Sequence, residues 1–120
     1  MKKAIMILAV VLTSVTMYSQ NISGEWNGKF NLHGKELKVV FHISKSKTGL
    51  KANMDSPFQK TFGIPVTKTS FNDSVLTLEI TNAGIEYLGT IDQNNNFVGT
   101  IKMVQSNELF PLILTKEDID

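Results

Sequence analysis

Residues 85–103, which read IEYLGTIDQNNNFVGTIKM, decide the fold of this chain. Apolar residues alternate with polar or small ones in 85–91 and again in 97–103, and a polar run separates the two halves. Successive side chains of a β-strand point to opposite faces, so a period of two predicts a strand. Two such runs around a polar turn are typical of an antiparallel hairpin.

The same alternation continues through most of the chain. Further alternating segments lie at 26–32, 37–43, 50–54, 66–71, 76–80 and 110–114. They predict about eight short antiparallel strands joined by turns, in one all-β domain over residues 21–120. Closure removes the exposed edges of such a sheet, so the pattern favours an up-and-down β-barrel. A two-sheet β-sandwich is the alternative.

The first twenty residues predict where the protein is found. Lys2 and Lys3 form a basic start, residues 4–11 are apolar, and residues 13–20 are mostly small and polar. This order is that of a secretory signal peptide. The apolar run is too short to span a bilayer, which takes roughly 20 apolar residues. We therefore expect export to the periplasm or the extracellular space, with residues 21–120 as the mature domain.

The composition excludes several classes of function. Cysteine is absent, so neither a disulfide nor a lipid-modified cysteine is expected. All twelve basic residues are lysines, and removal of residues 1–20 leaves ten lysines against eleven carboxylates, a net charge of −1. Arginine, which recognises phosphate with two parallel hydrogen bonds, is absent. We therefore expect no nucleic-acid partner, and no membrane span in the mature chain.

Residues 54–65, MDSPFQKTFGIP, interrupt the alternation. Pro57 and Pro65 restrict the residues before them to extended conformations, which predicts a shaped, non-strand loop over Asp55–Pro65 at one mouth of the barrel. Asp55 is expected to accept hydrogen bonds from backbone amides two or three residues further on and so to fix the corner. Ser56 belongs to the same corner, and Gln59 either serves this corner or donates into the mouth of the barrel.

Several segments resemble a known module, in the same order along the chain. They are Gly24–Gly28, Leu37–Ile43, Met54–Gln59, Gly63–Val66, Tyr87–Thr90 and Phe110–Leu114. Together they are similar to the small β-domain that precedes the catalytic domain of secreted bacterial α/β-hydrolases. The resemblance implies an accessory module associated with a hydrolase. Its most recognisable pieces here are Asp-Ser-Pro-x-Gln, starting at Asp55, and Gly-Ile-Pro, starting at Gly63.

The resemblance is incomplete, and a second, weaker resemblance exists beside it. Gln105-Ser106-Asn107 stands where the family tends to have Gln-Gly-Gly, and the hydrolase domain itself is missing from a chain that stops at Asp120. Separately, Gly24-Glu25-Trp26 resembles the Gly-x-Trp start of the first strand in lipocalin-like and avidin-like barrels. That likeness implies a lipocalin-like barrel.

The serine, histidine and acidic residues of the sequence do not predict an enzyme. A serine hydrolase needs a Gly-x-Ser-x-Gly turn with acid and histidine partners, and no such pentapeptide occurs. His33 adjoins a turn, and His42 lies between two apolar residues on the opposite face, where we expect it to be exposed. Two separated histidines do not make a zinc site, so neither metal nor cofactor is expected. Carboxylate pairs for glycoside hydrolysis stay open, since nothing singles out any two.

Six residues are candidates for contact with a ligand or partner: Trp26, Asp55, Ser56, Gln59, Tyr87 and Gln105. Tyr87 should enter the interior and find a partner for its hydroxyl, whereas Trp26 either plugs the barrel floor or offers a stacking platform. Three functions stay open at this stage. The leading one is a non-catalytic module that acts through a protein partner of hydrolase type, and the alternatives are a carrier of a small apolar ligand and a truncated hydrolase fragment.

Overall fold

The computed structural model describes residues 22–117, which form nine β-strands and two single 3₁₀ turns. The strands are β1 Gly24–Leu32, β2 Lys35–Ser46, β3 Gly49–Ser56, β4 Thr61–Pro65, β5 Lys68–Asn72, β6 Val75–Ile80, β7 Ile85–Ile91, β8 Phe97–Met103 and β9 Glu108–Leu114. The 3₁₀ turns are Pro57–Gln59 and Thr81–Ala83. Within this part of the chain no helix is long and apolar enough to cross a membrane. The predicted signal peptide, residues 1–20, lies outside the described residues.

The strands pair with their neighbours in chain order and form two antiparallel sheets. The first sheet has the order β1-β2-β3-β4 and the second the order β5-β6-β7-β8-β9. The prediction of an all-β antiparallel meander is therefore confirmed. The sheets do not close into one continuous barrel, and a two-sheet β-sandwich describes them as well as a barrel does.

Two tight hairpin turns each fix the register of one strand pair, β1–β2 in the first sheet and β5–β6 in the second. His33 and Gly34 have φ angles of 50° and 91°, and Asp73 and Ser74 have φ angles of 52° and 69°. Two consecutive residues with positive φ characterise the type I′ turn, whose twist matches that of the flanking strands. Leu32 accordingly pairs with Lys35 at the end of the first hairpin.

The hydrophobic core lies between the two sheets and is built around aromatic rings. Trp26, Phe41, Tyr87 and Phe97 are all buried, and the ring centroids of Trp26 and Phe97 lie 4.7 Å apart. The rings of Phe41 and Tyr87 are 6.3 Å apart and link the first sheet to the second. Burial of one such side chain contributes on the order of 1.5–3 kcal/mol. The prediction that Tyr87 points inward is confirmed.

The two sheets are joined at both sides by a few backbone hydrogen bonds. At one side the N–H groups of Asn27 and Thr115 donate to each other's carbonyl oxygens, at 2.7 and 2.9 Å. At the other side Val66 donates its N–H to the Ala52 oxygen at 3.1 Å, and Thr67 donates its N–H to Glu79 at 2.7 Å. The chain thus leaves the first sheet and enters the second within two residues.

The prediction of a non-strand loop over Asp55–Pro65 is wrong for most of its length. β3 continues to Ser56, and Thr61–Pro65 form a strand that pairs with β3. Only residues 57–60 turn the chain, and Lys60 ends the turn with a φ of 54°. Pro65 is compatible with this strand because β4 is the edge of its sheet, where a missing N–H costs no ladder hydrogen bond.

Candidate binding surfaces

Asp55 connects three strands on the outer face of the first sheet. Its Oδ2 lies 2.8 Å from Nε2 of His42 on β2, and its Oδ1 accepts the backbone N–H of Gly63 on β4 at 2.8 Å. We expected donors two or three residues further on, and that prediction is wrong because Gly63 lies eight residues on. The reason is that β4 folds back along β3 and brings its amide to the carboxylate.

The surroundings of Asp55 favour its charged form. Burial acts to raise the pKa of this carboxyl group, but the hydrogen bonds from Gly63 and His42, together with the charge of His42, outweigh burial. The net effect is a pKa below the usual value of 3.8. Asp55 is therefore an ionised structural acceptor at neutral pH.

His42 lies on the outer face, as predicted, but it is half-buried and held between two acids. While Nε2 contacts Asp55, Nδ1 lies 3.8 Å from Oε2 of Glu25. Both ring nitrogens therefore face carboxylates. A histidine that activates a nucleophile needs one nitrogen directed at that nucleophile. The hydroxyl of Ser56 donates instead to Oε1 of Gln59 at 2.9 Å.

The turn after β3 and the start of β4 each present one aromatic ring to solvent. The side chains of Ser56 and Gln59 bond to each other across the 3₁₀ turn, which fixes its shape. Phe58 and Phe62 are 57% and 63% exposed, and the Lys35 ammonium lies 5.0 Å from the centre of the Phe58 ring. Of the six candidate residues, the structure brings Ser56 and Gln59 into contact here, while the side chain of the preceding Asp55 faces His42 and Gly63 instead.

The other three candidates lie elsewhere in the molecule. Trp26 is buried and donates its indole N–H to the Ile22 oxygen at 2.8 Å. Tyr87 donates its hydroxyl to the Leu112 oxygen at 2.9 Å, and burial raises the pKa of this tyrosine. Gln105 is exposed in the turn between β8 and β9. The six residues do not form a single site.

Sequence reasoning did not single out an apolar surface on the second sheet. Leu88, Val98, Leu109 and Ile113 are exposed by 55%, 47%, 60% and 54%, and we call them the outer apolar face. Val98 pairs directly with Ile113, and Leu88 is a diagonal neighbour of Val98 through its own partner Thr100. The solvated face of an antiparallel sheet is normally polar. The sequence did carry a signal for this surface, namely apolar residues at the outward positions of 85–91, 97–103 and 108–114.

Neither the search for a metal site nor the comparisons with known proteins identifies a function. No group of three or more histidine or acidic side chains within residues 22–117 could hold a metal ion. Comparisons with protein-family models, curated proteins and solved structures found no match to this chain.

Proposed function

We propose that this chain is an exported, non-catalytic binding module that acts by contact with a protein partner. The observation that carries the proposal is the outer apolar face, where four large apolar side chains are about half exposed on neighbouring strands. Scattered exposed apolar residues are ordinary, but a contiguous apolar patch marks an interaction surface. The resemblance to the β-domain of secreted hydrolases agrees with such a role, and a hydrolase is the partner that it suggests.

The border of the outer apolar face suits a protein partner. Glu79, Glu86 and Lys102 lie side by side on β6, β7 and β8, and Leu109 follows them on β9. This charged row lies next to the row that contains Leu88. An apolar centre with charged residues at its rim is the usual arrangement of a protein–protein interface. The apolar centre supplies affinity, and the mixed charges of the rim select a partner of complementary charge.

The absence of catalysis is part of the proposal. Both nitrogens of His42 face carboxylates, and Ser56 is engaged with Gln59, so these residues do not support a nucleophile and base pair. We expect ester and peptide substrates to be hydrolysed only at background rates. Product formation that disappears in Ser56→Ala would contradict this part of the proposal.

We propose that the fold of the module is a flattened eight-stranded barrel. β4 and β5 count as one bent strand in this description, since Val66 and Thr67 pass directly from β3 to β6. The mutual hydrogen bonds of Asn27 and Thr115 join the first strand to the last. Fully buried aromatic rings occupy the space between the sheets, which favours partner binding over carriage of an apolar ligand inside the barrel.

Export rests on residues 1–20. If they are a signal peptide, intact-mass measurement of the exported protein should show a chain that starts near Gln20 and lacks about twenty residues. An exported product of full length would contradict the assignment, and a protein retained inside the cell would contradict export itself.

The partner can be tested with a photo-crosslinking amino acid at Val98, in cells that produce the protein. We expect one discrete adduct from this position. The matched control carries the same group at Glu36, which is exposed on the outer face of the first sheet. An adduct of equal yield from both positions, or none from Val98, would contradict a specific interface on the second sheet.

A further inference from the structure

A cleft opens where the chain passes from the first sheet to the second. β4 accompanies β3 only as far as Asn53, which pairs with Pro65, and Val66 adds a last hydrogen bond to Ala52. From Thr67 onward the chain pairs with β6. The Gly49–Lys51 part of β3 therefore has β2 on one side and no paired strand among residues 22–117 on the other. We call this opening the seam cleft.

The seam cleft is large enough for a small molecule. Its volume is about 430 Å³, and polar side chains line it beside apolar ones such as Leu50 and Pro65. Small-molecule sites commonly occupy about 300–1,000 Å³ and combine apolar walls with a few polar groups. Its polar lining includes Ser44, Lys51, Asn53 and Thr69.

Most of these polar groups are not committed to the fold. Ser44, Lys51 and Asn53 are exposed to solvent, and their side chains form no hydrogen bond or ion pair with other described residues. The hydroxyl oxygen of Thr69 is buried and has no hydrogen-bond partner among residues 22–117. A buried hydroxyl without a partner is unfavourable because it has lost its hydrogen bonds with water and gained none in the protein. Such a residue is explained if its hydroxyl serves a molecule that enters the cleft.

Thr69 lines the cleft while its hydroxyl is buried, so a change of its χ1 rotamer would be needed to direct the hydroxyl to a bound ligand. The hydroxyl and the methyl group of threonine have similar sizes, and rotation about χ1 moves between staggered positions. In a rotamer that exchanges the two groups, the methyl group would take the buried position and the hydroxyl would be available to a ligand. The exchange replaces an unpaired buried hydroxyl with a paired one.

The charge of the lining defines the class of ligand. Lys51 is the only lysine in the lining of the cleft, and the lining contains no carboxylate. Asp55 and Glu25 lie behind His42 and face its ring. One ammonium group balances one negative charge on a ligand. The two nearby carboxylates repel any further negative charge, which disfavours a doubly charged phosphate. The amide and hydroxyl groups suit ligand hydroxyls.

We propose that the seam cleft binds a small hydroxylated monocarboxylate of the size of one sugar ring, such as a sugar acid. Lys51 pairs with the carboxylate, while Ser44, Asn53 and Thr69 bond to the hydroxyl groups. This site is separate from the outer apolar face, and its ligand does not depend on the partner-binding proposal. Either can fail while the other stands.

The test is titration of the full chain with D-glucuronate, followed by NMR of the backbone amides. We expect saturable shifts at Lys51, Asn53 and Thr69, and at least tenfold weaker binding in Lys51→Gln. The control Lys47→Gln removes an exposed lysine from the neighbouring turn and should bind as the unchanged protein does. Absence of saturable shifts, or equal weakening in both variants, would overturn the proposal.

Two further comparisons fix the ligand class and the role of Thr69. D-glucose and inorganic phosphate should each bind at least tenfold more weakly than glucuronate, and equal binding of either would overturn the assignment of a monocarboxylate. Thr69→Val keeps the shape but removes the hydroxyl. We expect it to melt at the same or a higher temperature and to bind glucuronate more weakly. Unchanged binding would overturn the role of Thr69.

Discussion

Oδ2 of Asp55 lies 2.8 Å from Nε2 of His42, and this contact ties β3 to β2 on the outer face of the first sheet. The other oxygen of the same carboxylate accepts the Gly63 N–H and holds β4. One side chain thus fixes the edge strand that carries the exposed Phe62. This arrangement makes Asp55 a structural residue.

Substitution of Asp55 should therefore affect stability. Asp55→Ala removes both contacts, and we expect the free energy of unfolding to fall by about 1–3 kcal/mol. Asp55→Asn should cost less than about 1 kcal/mol, since the amide oxygen can still accept from Gly63. Urea denaturation of the two variants measures both values. Equal and negligible losses would contradict a structural role and favour a ligand or partner contact at Asp55.

The lowered pKa of Asp55 makes stability dependent on acid pH. The pKa of Asp55 in the folded protein lies below 3.8, so its carboxylate binds a proton more readily in the unfolded chain than in the folded one. The stabilisation is fully present above about pH 4 and is lost as the pH falls through the folded pKa. Urea denaturation at decreasing pH should show this loss in the unchanged protein and a shallower one in Asp55→Asn.

Glu108 supplies the control for the acid experiment. The hydrogen bond from His33 is the main cause that lowers the pKa of Glu108, but the side chain of this glutamate is 43% exposed. Exposed ion pairs contribute little to stability because solvent screens them. Glu108→Gln should therefore leave the acid dependence nearly unchanged. A larger change in Glu108→Gln than in Asp55→Asn would contradict the assignment to Asp55.

Tyr87 should resist ionisation while the protein is folded. Its ring is fully buried and its hydroxyl donates to Leu112, and burial raises its pKa above the ordinary value of 10.0. In Tyr18→Phe, Tyr87 is the only tyrosine of the chain. Absorbance titration of that variant should show no tyrosinate until the fold is lost at alkaline pH. Reversible ionisation near pH 10 in a folded protein would show that the hydroxyl is accessible.

Gly28 tests the contact between β1 and β9. A Cβ at this position would lie 2.7 Å from Cδ1 of Leu112 and 2.8 Å from the Ile113 oxygen. Because one of these atoms belongs to the backbone, Gly28→Ala should push the strands apart at a cost of about 1–3 kcal/mol. Gly34→Ala, whose Cβ would meet nothing within 4 Å, reports instead the cost of its positive φ of 91°. Hydrogen exchange at Asn27 and Thr115 should accelerate only in Gly28→Ala.

The regular part of the fold was predictable from the sequence because burial between two sheets imposes a period of two. β7 and β8 have the bounds that the alternation indicates, and Tyr87 lies on the predicted face. β4 was not predictable from alternation, since Gly63 and Pro65 disguise a short edge strand. Its identity depends on pairing with β3, which local sequence does not encode.

The side-chain arrangement at Asp55 was missed because it depends on register. Ser46 pairs with Gly49, so Lys47 and Thr48 form the turn, and this places Val40 opposite Asp55. His42 then becomes a diagonal neighbour on the same face. The polar run of residues 44–49 predicts a turn without locating its centre, and a shift of one residue would move the two side chains to opposite faces.

The measurement that tests partner binding most directly is the yield of the Val98 crosslink in a chain that also carries Ile113→Lys. Ile113 pairs with Val98 and is 54% exposed, so a lysine should leave the fold intact while it places a charge in the outer apolar face. We predict that the discrete adduct disappears, while thermal unfolding of the purified variant is unchanged. An adduct of undiminished yield from the folded variant would contradict the proposed interface.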